Sequence, residues 1–372
     1  MKMTLERTAI FRALTHVHRV VERRNTIPIL SNVLMKAADS RLEFKATDLD
    51  IEVIETCPAE ISAEGATTVP AHMLYDIVKK IPDGAQIELA TNEDGAGISI
   101  VSGRSRFSLQ TLPASDFPDI TTGEMTHGFS LPARTLKTLI ERTQFAISTE
   151  ETRYYLNGIY LHAAEAGKTT VLRGVATDGH RLAQYDMDLP AGAEGMPGVI
   201  VPRKTVTEIQ RLIESEDTDI AIQLSETKIR FTIGPTVVTS KLIDGTFPDY
   251  ERVIPVNNDK ALTVDKALFR EAVDRVSTIS SERGRAVKLS LADDAIHMSV
   301  NNPESGSASE EIAAEYGADP LEIGFNARYL LDIADQLSGS DAELLLADPG
   351  SPTLVKDPAD TAVLYVIMPM RV

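Results

Sequence analysis

The chain has 372 residues, 43% of them hydrophobic, and a formal net charge of −18 at pH 7. No run of about 18 apolar residues occurs, which excludes a helical membrane span, and the mixed-charge start Met1-Lys2-Met3-Thr4-Leu5-Glu6-Arg7 lacks the apolar core of a signal peptide. Cys57 is the one cysteine, which excludes an intrachain disulfide and a cysteine-rich zinc site and fits a reducing cytoplasm.

In chain order, Leu5, Ile10, Leu14, Val17, Val20 and Val21 recur at helical spacing and predict a helix over 5–21. Pro28 lies beyond its end. Strands are expected at 29–36, 42–47 and 51–57. Pro70 opens a second helix to 81, where its missing N–H costs nothing, and Pro82-Asp83-Gly84 is a turn. Strands follow at 87–90, 98–102 and 106–112, with Gly103-Arg104-Ser105 as a basic hairpin tip. A second stretch reads the same way: helix 131–147, strands 155–163 and 170–176, helix 202–213, strands 220–224, 228–233 and 237–242. A third gives helix 264–279, strands 287–291 and 296–300, helix 326–337, and strands 343–346, 353–356 and 363–368.

The likeness between these stretches extends to individual strings. Phe117-Pro118-Asp119 returns as Phe247-Pro248-Asp249, and Thr47-Asp48 as Thr177-Asp178, both 130 positions later. Val69-Pro70-Ala71 returns as Val201-Pro202-Arg203. The third copy is fainter, with Asn301-Asn302 in place of the Thr-Asp pairs. A period near 124 residues is that of a domain with its own core rather than a solenoid unit. The fold class is therefore α+β: three tandem domains over 1–124, 125–252 and 253–372, each with two helices and antiparallel strands. Linkers without Gly/Ser-rich tracts imply rigid joints, and equivalent domains in series favour an arc or ring.

The acidic total argues against nucleic acid until its distribution is considered. The helical stretches 5–24, 71–81, 133–145, 203–213, 265–276 and 325–337 together carry +7, so the −18 of the whole chain leaves −25 elsewhere. A polyanion beside the helices would feel mostly the helices, because the opposite face of such a domain lies beyond a Debye length of about 8 Å. The bland alternative is that basic residues merely favour helices. The third copy's helices are neutral or acidic and would contribute little.

Chemistry-bearing motifs are sparse. Asp178 and His180 could form an acid–base pair, but Gly179 breaks a strand between them and no nucleophile signature accompanies them. Asp48 and Asp50 read as a solvated edge rather than a magnesium site. Neither a phosphate-binding loop nor a dinucleotide fingerprint occurs, so no cofactor, no metal and no catalytic residue is expected. The apolar terminus Leu364-Tyr365-Val366-Ile367-Met368-Pro369-Met370-Arg371-Val372 is unusual. It would finish a strand and line a surface, where methionine suits a groove accepting several sequences.

Several strings, in order, resemble those of the bacterial DNA polymerase III beta subunit family, the sliding clamps: Thr26-Ile27-Pro28-Ile29-Leu30, Ser102-Gly103-Arg104-Ser105-Arg106-Phe107, Arg153-Tyr154-Tyr155-Leu156-Asn157-Gly158, Thr177-Asp178-Gly179-His180-Arg181-Leu182, Phe247-Pro248-Asp249-Tyr250 and Met368-Pro369-Met370-Arg371. The resemblance covers all three copies. It implies a head-to-tail homodimeric ring of six domains enclosing duplex DNA without sequence preference, and a non-catalytic processivity factor in the cytoplasm. It implies a partner-peptide cleft between the second and third copies, made of Leu156, Thr177, Gly179, His180, Arg181, Leu182, Pro248, Val253, Val366, Met368, Pro369 and Met370. The replicative polymerase, the clamp loader, translesion polymerases and mismatch-repair proteins would compete for that cleft. By the same resemblance Arg24, Tyr154, Tyr155, Arg203 and Lys204 contact DNA, and Arg104, Phe107, Leu109 and Ile279 belong to the dimer interface. Glu150 and His72 depart from the pattern, standing where a neutral residue and a stronger base would suit DNA better. The rival expectations are a hydrolase using Asp178 and His180, and a three-domain adaptor without ring or DNA.

Overall fold

A computed structural model describes residues 1–93, 95–120, 123–215, 217–280 and 285–372. Six α-helices occur among them: α1 (Arg7–Val17), α2 (Ala71–Lys80), α3 (Ala133–Thr143), α4 (Arg203–Leu212), α5 (Lys266–Ser277) and α6 (Ala327–Ala334). Each begins where a strand ends: Lys2–Glu6, Gly65–Pro70, His127–Pro132, Val199–Pro202, Lys260–Asp265 and Leu321–Asn326 respectively. The helix expected over 5–21 is thus shorter than its periodicity suggested. Met3 and Leu5 alternate into the core as strand residues, and Leu5 satisfies the helical and the strand period alike. Leu131 and Val264 likewise belong to strands rather than helices. The turn into α5 is fixed by Asp265, whose Oδ1 accepts from Leu268 N at 2.8 Å, and α6 has the same device in Asn326 and Arg328 N at 3.0 Å.

The chain divides into two compact units that cut across the repeats: Met1–Arg134 with Thr207–Leu242, and Thr135–Val206 with Ile243–Val372. Strand pairings among the described residues are all antiparallel. The first unit holds a five-stranded sheet in the order Glu60–Ala63, Lys2–Glu6, Gln86–Thr91, Gly97–Ser102, Ser105–Gln110. It also holds an eight-stranded sheet running His127–Pro132, Asp219–Leu224, Lys228–Ile233, Thr236–Lys241, Ile51–Pro58, Arg41–Thr47, Asn32–Ala38, Gly65–Pro70. Four of these strands come from the second repeat and four from the first, and the seam is Thr236–Lys241 against Ile51–Pro58.

The second unit repeats the arrangement. Its eight-stranded sheet runs Val199–Pro202, Gly158–Ala166, Thr169–Thr177, Arg181–Asp188, Asp360–Ile367, Thr353–Asp357, Asp341–Leu346, Lys260–Asp265, with its seam at Arg181–Asp188 against Asp360–Ile367. A four-stranded sheet runs Gly306–Ala313, Ala295–Asn302, Ala286–Ala292, Leu321–Asn326. No helix among the described residues is long and apolar enough to cross a membrane.

The duplication holds at atomic level beside each seam. Thr177 Oγ1 donates to Arg181 O (2.6 Å) and accepts from Gly179 N (3.1 Å), while Asp178 Oδ1 accepts from His180 N (2.9 Å) and Arg181 N (3.0 Å). In the first repeat Thr47 Oγ1 donates to Ile51 O (2.9 Å) and accepts from Leu49 N (3.0 Å), while Asp48 Oδ1 accepts from Asp50 N (2.9 Å) and Ile51 N (2.8 Å). The centre of both turns is left-handed, φ +87° at Gly179 and +80° at Leu49. These are turns, so the Asp-x-Asp spacing never puts Asp48 and Asp50 on one strand face. In the third repeat Asn302 instead accepts from Glu304 N at 3.0 Å and donates from Nδ2 to Ile279 O at 2.9 Å.

Candidate functional site

The second unit's seam carries an apolar cavity of about 290 Å³. Its wall is Arg153, Tyr155, Leu156, Thr177, Gly179, Arg181, Leu182, Pro248, Asp249, Tyr250, Val253, Val366 and Met368. Strand pairing explains the floor. Leu182 faces Val366 across the seam, and both pack with Leu156, Val175, Phe247 and Tyr250 in one buried cluster. The rim is open, with Val253 47% and Met368 37% exposed. Such a site, apolar below with polar groups at its edge, accepts the side chains of an extended peptide.

Behind the floor, a buried polar network holds Tyr250. Arg173 grips Asp186 through Nε (2.7 Å) and Nη2 (2.8 Å) and donates from Nη1 to Tyr250 Oη (3.1 Å). His162 Nε2 lies 3.0 Å from the same hydroxyl. Burial, assisted by the Arg173 charge, pushes His162 down to about 4, so it is neutral at pH 7. Arg181 anchors the opposite side. It bonds Asp178 Oδ2, Asp332 Oδ2 and Phe145 O, and its guanidinium lies over the rings of Tyr329 and Phe145 at 4.3 and 5.1 Å.

Of the residues expected in the cleft, His180, Pro369 and Met370 are not in its wall. His180 is exposed, with its ring stacked 6.5 Å from Tyr329, and its carbonyl accepts from Met368 N at 2.9 Å. Met370 N bonds Gly324 O at 2.7 Å, which carries the tail across the four-stranded sheet, where Met370, Arg371 and Val372 border a separate groove of about 830 Å³. Arg153, Asp249 and Tyr250 join the wall without having been singled out, although each lies inside a string that resembles the family. Tyr155, expected at DNA, is also in the wall.

Among the residues expected to meet DNA, Arg24, Tyr154 and Arg203 are exposed and Tyr155 and Lys204 half-buried. The rings of Tyr154 and Tyr155 meet edge-on at 5.8 Å. Glu150, the unfavourable carboxylate, is paired with Arg153 at 2.8 Å, and that hydrogen bond holds it below the usual carboxylate range. His72 donates from Nε2 to Val21 O at 2.8 Å. Of the expected interface residues, Arg104 and Phe107 are exposed, Ile279 is half-buried, and Leu109 is buried within its own unit.

Family models extend over the whole chain. The N-terminal, central and C-terminal domains of the DNA polymerase III beta subunit match residues 1–121, 130–249 and 251–371. The chain belongs to the DNA polymerase III beta subunit family. It is similar to the beta sliding clamp of Caulobacter vibrioides, 54% identical over the full length of both chains, and to that of Escherichia coli, 40% identical over the full length of both. The solved structure of a Bartonella birtlesii sliding clamp bound to griselimycin has 56% identity, complete coverage of both chains and a TM-score of 0.97. The three repeats are tandem clamp domains, and the function is that of a DNA sliding clamp, a non-catalytic processivity subunit. The hydrolase reading is thereby overturned. Both oxygens of Asp178 are already committed, Oδ1 to two backbone N–H groups and Oδ2 to Arg181 at 3.2 Å. They shape a turn and carry no reaction. The family binds DNA and polymerase partners, which also removes the adaptor reading.

Proposed function

We propose that the 290 Å³ seam cavity is the docking cleft through which this clamp captures its partners, namely the replicative polymerase catalytic subunit, the clamp loader, translesion polymerases and mismatch-repair proteins. The observation that carries this reading is an apolar floor of Leu156, Leu182, Val366 and Tyr250 beneath a partly exposed rim of Val253 and Met368. A short extended segment with leucine or phenylalanine anchors fits it. His180, Pro369 and Met370 extend the same path beyond the cavity, along the tail toward Gly324.

The helices and the segments beside them form the DNA face in this proposal, with Arg24 beyond the end of α1, Tyr154 and Tyr155 ahead of the strand Gly158–Ala166, and Arg203 and Lys204 on α4 as contacts. The +7 carried by the helical stretches against −25 elsewhere supports it. Contacts to phosphate and water without base readout allow sliding. Domain boundaries at 124 and 252 follow from the repeat. The functional form is a head-to-tail homodimeric ring in the cytoplasm. Two sheet edges support the dimer. Ser105–Gln110 ends one sheet with Arg104, Arg106 and Phe107 exposed, and Gly306–Ala313 ends another, carrying an exposed Glu311 and Glu310, the latter bonded to Arg275 of its own chain. Open edges with complementary charge pair readily across two chains. Leu109 and Ile279 would sit beneath that contact.

The test is retention on DNA. Once loaded, the clamp is expected to stay on a closed circular duplex and to slip from a linear one. Equal loss from both overturns the ring. Arg24→Ala is expected to flatten the salt dependence of DNA affinity by about one phosphate contact.

A further inference from the structure

The first seam is the structural counterpart of the cleft, yet charged side chains stand where the cleft has its apolar floor. Equivalence between the seams is fixed by matched hydrogen bonds and register. Met368 N bonds His180 O at 2.9 Å, and Lys241 N bonds Asp50 O at 2.8 Å. Leu182 faces Val366, and Glu52 faces Thr239. Thr177 pairs with Leu182 and Val175 with Gln184, just as Thr47 pairs with Glu52 and Lys45 with Ile54. The floor residues Val175, Leu182 and Val366 therefore become Lys45, Glu52 and Thr239. On the rim, Met368 and His180 become Lys241 and Asp50.

The exchanged residues pair with one another. Lys45 Nζ lies 2.6 Å from Asp119 Oδ1 and 3.6 Å from Glu52 Oε2, and Asp119 is the counterpart of Asp249 in the cleft wall. Glu52 Oε2 also accepts from Ile120 N at 3.4 Å. Above them Lys241 Nζ reaches Asp50 Oδ1 at 3.0 Å. Lys45 and Glu52 are both largely buried, at 15% and 5% side-chain exposure. Burial pushes the Glu52 carboxyl up. Burial alone would lower Lys45, but the hydrogen bond to Asp119 and the charge of Glu52 outweigh it and hold the ammonium above its ordinary value. A leucine anchor entering here would have to separate Lys45 from Glu52 and Asp119, leaving the two largely buried groups, Lys45 and Glu52, without their partners.

We propose that Lys45, Glu52 and Asp119, lidded by Lys241 and Asp50, plug the duplicated cleft at the first seam, so that each chain offers one site to an anchor-bearing peptide instead of two. This rests on the cleft reading above. The plug works by specificity: the same backbone presents a closed ionic floor at one seam and an open apolar floor at the other.

Titration calorimetry with a synthetic extended peptide carrying a leucine and a phenylalanine anchor tests it. The unsubstituted chain is expected to bind one peptide. A variant giving the first seam the cleft's own side chains, Lys45→Val with Glu52→Leu, Thr239→Val and Lys241→Met, is expected to bind two. One peptide bound by the folded variant, or two bound by the unsubstituted chain, overturns the plug. No peptide bound by the unsubstituted chain means that the cleft reading itself has failed. Should the buried exchange prevent folding, His180→Asp with Met368→Lys transplants only the exposed lid onto the cleft. Affinity is then expected to fall by about tenfold or more and to recover in part at high salt as the new ion pair is screened. Unchanged affinity, or a loss indifferent to salt, overturns the lid and with it the plug.

Discussion

Arg181 and Asp332 meet at 2.5 Å, Nη1 to Oδ2, and so tie the second repeat's turn to helix α6 of the third repeat. The guanidinium is 9% exposed and serves three acceptors at once, Asp178, Asp332 and Phe145 O. Lysine carries the charge but not the planar fork. Arg181→Lys is expected to lower the unfolding transition of this unit by the equivalent of about 2 kcal/mol, because a lysine cannot serve Asp178, Asp332 and the Phe145 carbonyl together and Asp332 is left with Arg328 at 3.9 Å. Differential scanning calorimetry with and without cleft peptide checks it. An unchanged transition would remove Arg181 as the anchor of the cleft wall.

His16 gives a pH dependence whose sign is fixed by geometry. Its Nδ1 lies 3.2 Å from Glu55 Oε2 and its Nε2 3.1 Å from Glu214 Oε1, and Thr236 donates to the same Glu55 oxygen. Arg12 also reaches Glu214, at 2.9 Å. Only the imidazolium can donate from both nitrogens. Burial works against that charge, but the hydrogen bonds and charges of Glu55 and Glu214 prevail and the pKa is raised. A raised folded-state value means stabilisation that is complete below about pH 6.5, the unfolded value, and is lost as pH rises through the folded value. His16→Gln is expected to lower the unfolding midpoint most near pH 6. The gap to the unsubstituted chain should narrow by pH 9. A gap that stays constant across that range contradicts the charged state.

The two left-handed turns make a matched pair for backbone strain. Gly179 adopts φ +87° freely, whereas Leu49 holds +80° with a side chain. A Cβ at Gly179 would approach Arg153 Nη1 at 2.4 Å, the far end of a flexible chain that can move. Gly179→Ala is therefore expected to cost about 1 kcal/mol, mainly through φ, and to displace Arg153 from Glu150 in the cleft wall. Leu49→Gly removes the same strain and is expected to be nearly neutral once the added unfolded-state entropy is counted. Chemical denaturation of both variants checks the contrast, and a larger cost at Leu49 would refute it.

Much of the fold is legible in the sequence. Ile10, Leu14 and Val17 mark α1 by spacing alone, and the paired Thr-Asp strings announce turns that prove atomically alike. The short strands ahead of each helix were not legible, because Leu5, Leu131 and Val264 satisfy both periods and only sheet pairing decides between them. The seams were equally hidden. Arg181–Asp188 pairs with Asp360–Ile367, a separation far beyond any local signal. That pairing is what brings Leu182 to Val366. Tyr250 entered the cleft wall unannounced because its position depends on Arg173 and His162, whose burial no motif records. The contrast between Lys45 and Val175 was present in the repeat, but its meaning requires register.

Deleting Met368–Val372 separates the cleft from the rest of the chain. Met368 supplies part of the rim, and its N–H bonds His180 O. Met370 ties the tail to Gly324, with Val372 packed close to that glycine. The strand Asp360–Ile367 ends before the deletion, so the seam and its buried Val366 remain. Partner capture is expected to be lost, by at least about tenfold in peptide affinity since an exposed anchor contact disappears, while dimerisation persists because both proposed sheet edges lie elsewhere. Light scattering and peptide titration on the same truncated sample check the two halves. Peptide affinity retained in the truncated chain would show that the tail plays no part in the cleft. Dissociation to monomers would show that the tail reaches the subunit interface instead.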